Sequence, residues 1–226
     1  MDSMDFIRKN WLLILFSIFG NYWLYRIIKI DLLVALLMVV ISFLLMTITH
    51  SKKSKLFVVV LLSAFLLLSF KLYQREFDSN IFRLHGLEKD LIAKRHEYYS
   101  FELGKLYRNR YGLWYFEKFN PMAEKYLSNC FSYLDYNLYF SGNHTQERPG
   151  IMEFYKYPLL LLPVFFVGLF LFLREVNIAI FLYFLFSIFV SGFINPGAVF
   201  GPVLMFPFIN YLFFTALLSL KKLRSV

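Results

Sequence analysis

Cysteine is nearly absent: Cys130 is the only one in 226 residues. A single thiol excludes an internal disulfide and any CxxC metal site. Ionisable side chains are missing from the middle of every long apolar run. Proton relays, ion pathways and voltage sensors carry such groups at membrane depth, so this absence argues against a proton-coupled transporter or a channel with a charged pore. No nucleic-acid-binding motif accompanies the net charge of +9, which leaves lysines and arginines beside lipid phosphates as the simpler source of that charge. No small-residue cleavage site follows the first apolar run, where NYWLYR is bulky throughout, so that run is expected to be a retained helix. The two hydrophobic halves show no inverted repeat.

Apolar and aromatic sequence is what the chain has in abundance. Hydrophobic residues make up 59%, the mean hydropathy is +0.56, and 29 Phe and 16 Tyr bring the aromatic share to 21%. Soluble domains are nearer half apolar, so the excess points to a membrane. Phenylalanine suits lipid-facing helices, and tyrosine suits the interface, where its ring is apolar and its hydroxyl wet. Six runs carry this composition: residues 11–25, 32–49, 56–70, 157–173, 178–194 and 198–220. Gly20-Asn21 interrupts the first, which is therefore short for a span. Pro163, Pro202 and Pro207 lie inside runs, where kinks are expected.

The expected fold is an all-α polytopic membrane protein. It has about six transmembrane helices and a mostly helical extracytoplasmic insert between the third and fourth. Residues 1–70 and 157–226 form two membrane regions of three spans each, and residues 71–156 form the insert. Arg8, Lys9, Lys52, Lys53, Lys55, Arg174 and the lysines after residue 220 fall on one side. Arg26 and Lys29 fall on the other, so both termini are expected to be cytoplasmic.

Within the insert, Leu84, Leu87, Leu91, Tyr99, Leu103 and Leu106 recur at helical spacing. They predict a basic amphipathic helix over residues 85–110 that lies on the bilayer surface and is broken at Gly112. Asn120-Pro121 reads as the start of a second helix, with Met122, Tyr126, Leu127, Cys130, Phe131 and Leu134 as its apolar stripe. Cys130 on that stripe is expected to be an inert buried thiol. His96-Glu97 resembles the opening of a zinc-protease helix, but Ser100 stands where the second histidine belongs, so no metal is expected. Glu102, Glu117 and Glu124 show no spacing that singles out an acid/base pair. Asn143-His144-Thr145 is an N-glycosylation pattern, meaningful only in a eukaryotic secretory pathway. Arg148, Arg110, Arg108 and Lys105 are the candidates for contact with lipid phosphates or headgroups.

A family resemblance covers the second half of the chain. Tyr126-Leu127-Ser128, the phrase LYFSG over residues 138–142, Arg148 and Tyr157-Pro158 resemble bacterial GT-C membrane glycosyltransferases of the protein-mannosyltransferase and aminoarabinose-transferase type. The run FGPVLMFPFINYLFFTALLSL is similar to the family's next proline-containing span, with Phe200-Gly201 where an arginine is usual. The resemblance implies a bacterial plasma membrane and a lipid-linked sugar donor, with no cofactor. It also implies catalytic acids on a long first extracytoplasmic loop. Here that loop is a handful of residues around Asp31; a transferase would use Asp31 or an insert glutamate as its base, with Arg148 on a lipid phosphate. The expectation is a non-catalytic membrane protein that partners an envelope glycosylation system. It would contact membrane lipids, lipid-linked saccharide and other membrane proteins, but no nucleic acid. A minimal transferase and a structural subunit of a larger complex are the alternatives.

Overall fold

A computed structural model describes residues 3–48, 54–141, 156–195 and 197–224. Lys52 and Lys53, the Asn143 pattern, Arg148 and Pro196 lie outside the described residues. The protein is all-helical. Among the described residues there is no strand, only an isolated bridge between Phe77 and Ile194.

The first apolar run forms two helices, α1 (Ser3–Phe19) and α2 (Tyr22–Ile30), which meet at 69°. The break has a local cause. Asn21 leaves the helical conformation, and its side-chain Oδ1 accepts from the N–H groups of Trp23 and Leu24, capping α2. Beside it, a Cβ on Gly20 would lie 2.7 Å from the Phe16 carbonyl oxygen, so a larger residue there would collide with the last turn of α1. Helices α3 (Leu32–Ile48) and α4 (Ser54–Glu76) follow. After the insert come α10 (Leu162–Arg174), α11 (Ile178–Ser191) and α12 (Phe206–Arg224).

The helices form a bundle with two recognisable ends. At one, the base, the end of α12 meets the start of α1: Lys221 Nζ donates to the Lys9 carbonyl at 2.9 Å and to Asn10 Oδ1 at 3.0 Å. The ends of α3 and α10 join it around a cavity of about 540 Å³ bordered by Met46, Glu175, Tyr211 and Lys222. At the other end, the crown, Asp31 pairs with Arg75, Phe200 N–H bonds Glu76, and Tyr22 N–H bonds the Lys156 carbonyl. Chain direction therefore alternates between base and crown, and the insert leaves from the crown.

Helix α12 is the centre. Every residue from 201 to 214 is buried, and α1, α3 and α10 pack around it. Large apolar side chains on the outer helices face outward instead: Trp11, Leu12 and Phe16 on α1, Leu66, Leu67 and Phe70 on α4, Phe166 and Phe170 on α10, and Phe186 and Phe189 on α11. Among the described residues, one helical stretch, Lys55–Glu76, is by itself long and apolar enough to cross a membrane, and α1 with α2 is so as a bent pair. Leu32–Ile48, Leu159–Arg174 and Ile178–Ser191 are apolar but shorter.

The prolines correct the expected kinks. Pro163 and Pro207 occupy the first turns of α10 and α12, and Pro202 precedes α12 altogether. In a first turn the missing N–H would have had no partner, so proline starts these helices without bending them. The run 198–220 is accordingly helical only from Phe206. Its earlier part is a loop, exposed at Val199 and buried from Phe200, that turns at Gly201, where φ is +52°.

The insert is a helical hairpin. Its elements are α5 (Gly86–Glu102), α6 (Lys105–Arg108), α7 (Arg110–Trp114), α8 (Asn120–Leu134) and α9 (Asn137–Phe140). The first helix breaks at Gly104, not at Gly112. Gly104 adopts φ +51°, a left-handed conformation that favours glycine, whereas Gly112 lies inside α7 with its N–H capped by Asn109. Helices α7 and α8 are continuous through a π turn, Tyr115–Phe119. Pro121 has no N–H to complete the α ladder, and the Asn120 N–H reaches back five residues to the Tyr115 carbonyl. Asn120 thus sits within a helix and does not begin one. The apolar residues expected as a stripe on α5 are not packed into the protein: Leu87 and Leu91 are exposed and no residue of α5 is buried. Instead α5 is held by Lys125, whose Nζ lies 2.7 Å from Glu88 Oε2 and bonds the Asn80 and Arg83 carbonyls. The ammonium holds the Glu88 carboxyl below its ordinary range, with help from the His85 N–H. On α8 only part of the stripe is covered: Cys130 is buried, while Leu127, Phe131 and Leu134 are exposed.

Candidate functional site

The crown gathers several constrained ionic groups. The last turn of α4 delivers Arg75 and Glu76, the corner between α2 and α3 delivers Asp31, and the loop before α12 supplies backbone donors. Asp31 Oδ1 accepts from the N–H groups of Leu33 (2.9 Å) and Val34 (3.2 Å), capping α3. Its Oδ2 lies 2.9 Å from Arg75 Nη1, and the Arg75 guanidinium rests over the Phe200 ring at 5.6 Å. Both carboxylate oxygens are therefore engaged. The group is placed as a cap and an ion-pair partner.

Next to this pair, Glu76 Oε1 accepts from Phe200 N–H at 2.8 Å. Its Oε2 is buried and has no hydrogen-bond partner among the described residues. Asp78 Oδ1 accepts from Asn80 N–H at 3.0 Å, and its Oδ2 accepts from Asn129 Nδ2 at 3.3 Å. Arg75, Glu76, Asp78, Asn80, Asn195 and Val199 border a cavity of about 310 Å³. On the other flank, Trp23 donates its indole N–H to the Phe200 carbonyl at 2.9 Å. Arg26 and Lys156 both approach its ring, at 4.8 and 5.1 Å from the centroid. Cation–π contacts of this kind gain strength where water is excluded, and Lys156 is 1% exposed. The site can hold a small polar group between acids and an arginine. No group of three metal-ligating side chains converges there or elsewhere among the described residues.

The other residues singled out by sequence are dispersed. Lys105, Arg108 and Arg110 are exposed at the turn of the insert hairpin, not beside Asp31. His96 Nδ1 lies 3.0 Å from Glu117 Oε1, and Glu124 accepts from Asn120 Nδ2 at 2.7 Å, so these acids serve the hairpin. The Cys130 Sγ lies 3.7 Å from the Ile188 carbonyl, and burial pushes its thiol up. Sequence reasoning missed Glu76, Asp78 and Lys156. The only available signal was position, since Glu76 and Asp78 close the third apolar run just as Lys156 opens the fourth.

The Asp31 geometry sets an expectation. Asp31→Asn keeps an oxygen for the cap and is expected to cost less than about 1 kcal/mol, whereas Asp31→Ala loses cap and ion pair and costs about 1–3 kcal/mol. Thermal unfolding of both variants in detergent checks this. Equal losses would show that capping is not what Asp31 supplies. Compared with protein-family models, curated proteins and solved structures, the chain matches none.

Proposed function

We propose that this is an integral membrane protein crossing the bilayer six times, with the base cytoplasmic and the crown and insert extracytoplasmic. In this reading it is a non-catalytic partner of an envelope glycosylation system in a bacterial plasma membrane, and its crown meets lipid-linked saccharide. The observation that carries the membrane assignment is the inside-out distribution of apolar surface. The central helix α12 is buried all round from Phe206 to Phe214, and so are residues 201–205 that lead into it, while the outer helices turn Trp11, Leu66, Phe70, Phe170 and Phe186 outward. Contiguous exposed apolar surface of this extent needs a covering, and lipid is the one that encircles a bundle. The shorter helices are compatible with spanning because buried non-helical backbone, such as the loop before α12, is tolerated at depth when protein surrounds it. The orientation follows from Arg8, Lys9, Lys221 and Lys222 at the base.

The non-catalytic assignment is supported by Asp31, whose two oxygens are occupied. One observation favours the alternative of a minimal transferase: Glu76 Oε2 is a carboxylate oxygen without a hydrogen-bond partner among the described residues, on a residue that borders the crown cavity. Purification from native membranes tests the main reading. Lipid-linked saccharide or an envelope glycosylation protein is expected to co-purify, and the absence of both overturns it. Sugar transfer by the purified chain, lost in Glu76→Gln and retained in Asp31→Asn, would favour the alternative.

A further inference from the structure

Helices α7 and α8 form one continuous rod lying between two different neighbours. One side carries Phe116, Glu117 and Lys125, which meet Tyr99, His96 and Glu88 of α5. The other side carries Tyr126, Cys130 and Tyr133, which meet the crown end of α11 and the residues after it. Tyr126 donates to the Phe189 carbonyl at 2.9 Å, and Tyr133 donates to the Ile194 carbonyl at 3.3 Å. A Cβ on Gly192 would touch both Tyr126 and Cys130, one turn apart. The contacts stay within residues 188–194, so the rod crosses over the end of α11 and does not run beside it.

Going back along this face, burial falls away step by step. Tyr133 is fully buried, Tyr126 half-buried, Phe119 46% exposed and Tyr111 83% exposed. Residues 119, 126, 130 and 133 are spaced by seven, four and three, so they share one helix face. The π turn keeps Tyr115 in line with Phe119, their rings 5.7 Å apart, and Trp114 stacks on Phe119 at 5.5 Å. The bundle-facing side of the rod therefore continues past the edge of the bundle as an aromatic overhang. The rod leaves over Phe189, an exposed residue on the outward side of α11. Between residues 103 and 116 the chain carries Lys105, Arg108 and Arg110 and no acid, and exposed Lys118 flanks the same aromatics.

We infer that this overhang rests in the headgroup layer of the extracytoplasmic leaflet and that its partner is an anionic phospholipid surface. Tyr111, Trp114, Tyr115 and Phe119 enter the boundary, and the basic side chains meet the phosphates. Two features carry the assignment: the overhang continues an established interface, and its charge complements an anionic surface. Tryptophan and tyrosine are the side chains that settle at this depth, and each Lys or Arg near an anionic surface adds to the attraction. The inference rests on the membrane reading above.

The three tryptophans allow a test that separates the two. The full chain is placed in phosphatidylglycerol nanodiscs brominated near the glycerol end of the acyl chains. Trp11→Phe leaves Trp23 and Trp114, and Trp11→Phe/Trp114→Phe leaves only buried Trp23, so the difference reports Trp114. Trp114 is expected to lose about half its fluorescence, as a ring roughly 5–10 Å into the boundary would. Combined Lys105→Glu, Arg108→Glu and Arg110→Glu should relieve that loss, since the reversed charges repel an anionic surface and the three side chains are exposed. Trp114→Phe, in the same discs brominated near the glycerol end, reports outward-facing Trp11, which follows Lys9 and Asn10 at the base and so lies near the opposite headgroup layer. Quenched Trp11 with unquenched Trp114 overturns this inference alone. If neither is quenched, the membrane reading falls and this inference with it. Equal quenching of Trp114 in zwitterionic discs overturns the anionic partner. Trp114 shielded within a dimer of this chain assigns the overhang to a second copy and overturns it too.

Discussion

Gly168→Leu is expected to prevent the bundle from assembling, and Gly168→Ala to cost about 3 kcal/mol or more. A Cβ at residue 168 would overlap the Leu212 carbonyl oxygen and stand 2.7 Å from its carbon and 3.1 Å from the Leu212 Cα. These are backbone atoms of α12, not the end of a side chain that can rotate away. Nor can α12 retreat, because α1 and α3 pack on it as well as α10. The only relief is separation of α10 from α12, which loses the edge-on contacts of Phe172 with Phe208 and Tyr211. In lipid, helices associate largely through such close packing, and small residues set how near two backbones come. Gly86→Ala is the control: nothing lies within 4 Å of its Cβ position, and the change is expected to be within about 0.5 kcal/mol of neutral. Gel filtration of detergent extracts, with unfolding of whatever remains monodisperse, measures both. A Gly168→Leu protein as stable as the parent would refute the close approach.

Much of the helical content is written in the chain, because apolar runs bounded by polar turns leave few alternatives. The break at Gly20-Asn21 was visible in sequence, whereas Asp31 was read there as a candidate base and only the structure shows it capping α3. What was hidden depends on partners far away in the chain. Nothing in the run 198–220 marks it as the centre of the bundle and 56–70 as its edge, since both are simply apolar. The difference lies in Gly168, which opens a path to α12, and in the polar atoms that α12 buries. Glycine identity alone did not reveal whether Gly104 or Gly112 breaks the insert. Asn109 decides it by capping the helix that contains Gly112. The crown was the least legible part. Glu76 and Phe200 are 124 residues apart, and no local pattern announces their bond. Lys105, Arg108 and Arg110 were visible as basic residues, but their place beside an aromatic overhang needed the course of α7 and α8.

Asn210→Leu is expected to destabilise the protein by about 2–3 kcal/mol although it adds apolar bulk to an apolar core. Asn210 is fully buried on α12, where it accepts from the Tyr157 hydroxyl at 2.7 Å and donates to Ser42 Oγ at 3.1 Å. The Tyr157 oxygen in turn accepts from Asn21 Nδ2 at 3.2 Å, and the Ser42 hydroxyl donates to the Met38 carbonyl. One chain of hydrogen bonds thus links the break between α1 and α2, the return from the insert, α12 and α3. Leucine would leave the Tyr157 proton without an acceptor in a place no water reaches. Tyr157→Phe keeps the ring packed on Phe206 and Phe213 and removes only the oxygen, for an expected loss of about 1–3 kcal/mol. The double variant is the sharper measurement. With both polar partners gone, neither is stranded by the other's loss, so it should cost about 1 kcal/mol less than the sum of the singles. Strict additivity would show that Asn210 and Tyr157 act independently. Coupling has a consequence at the crown. Asn21 is also the cap of α2, so a network that fixes Asn21 fixes the angle at which α2 carries Trp23 to Phe200 and Asp31 to Arg75.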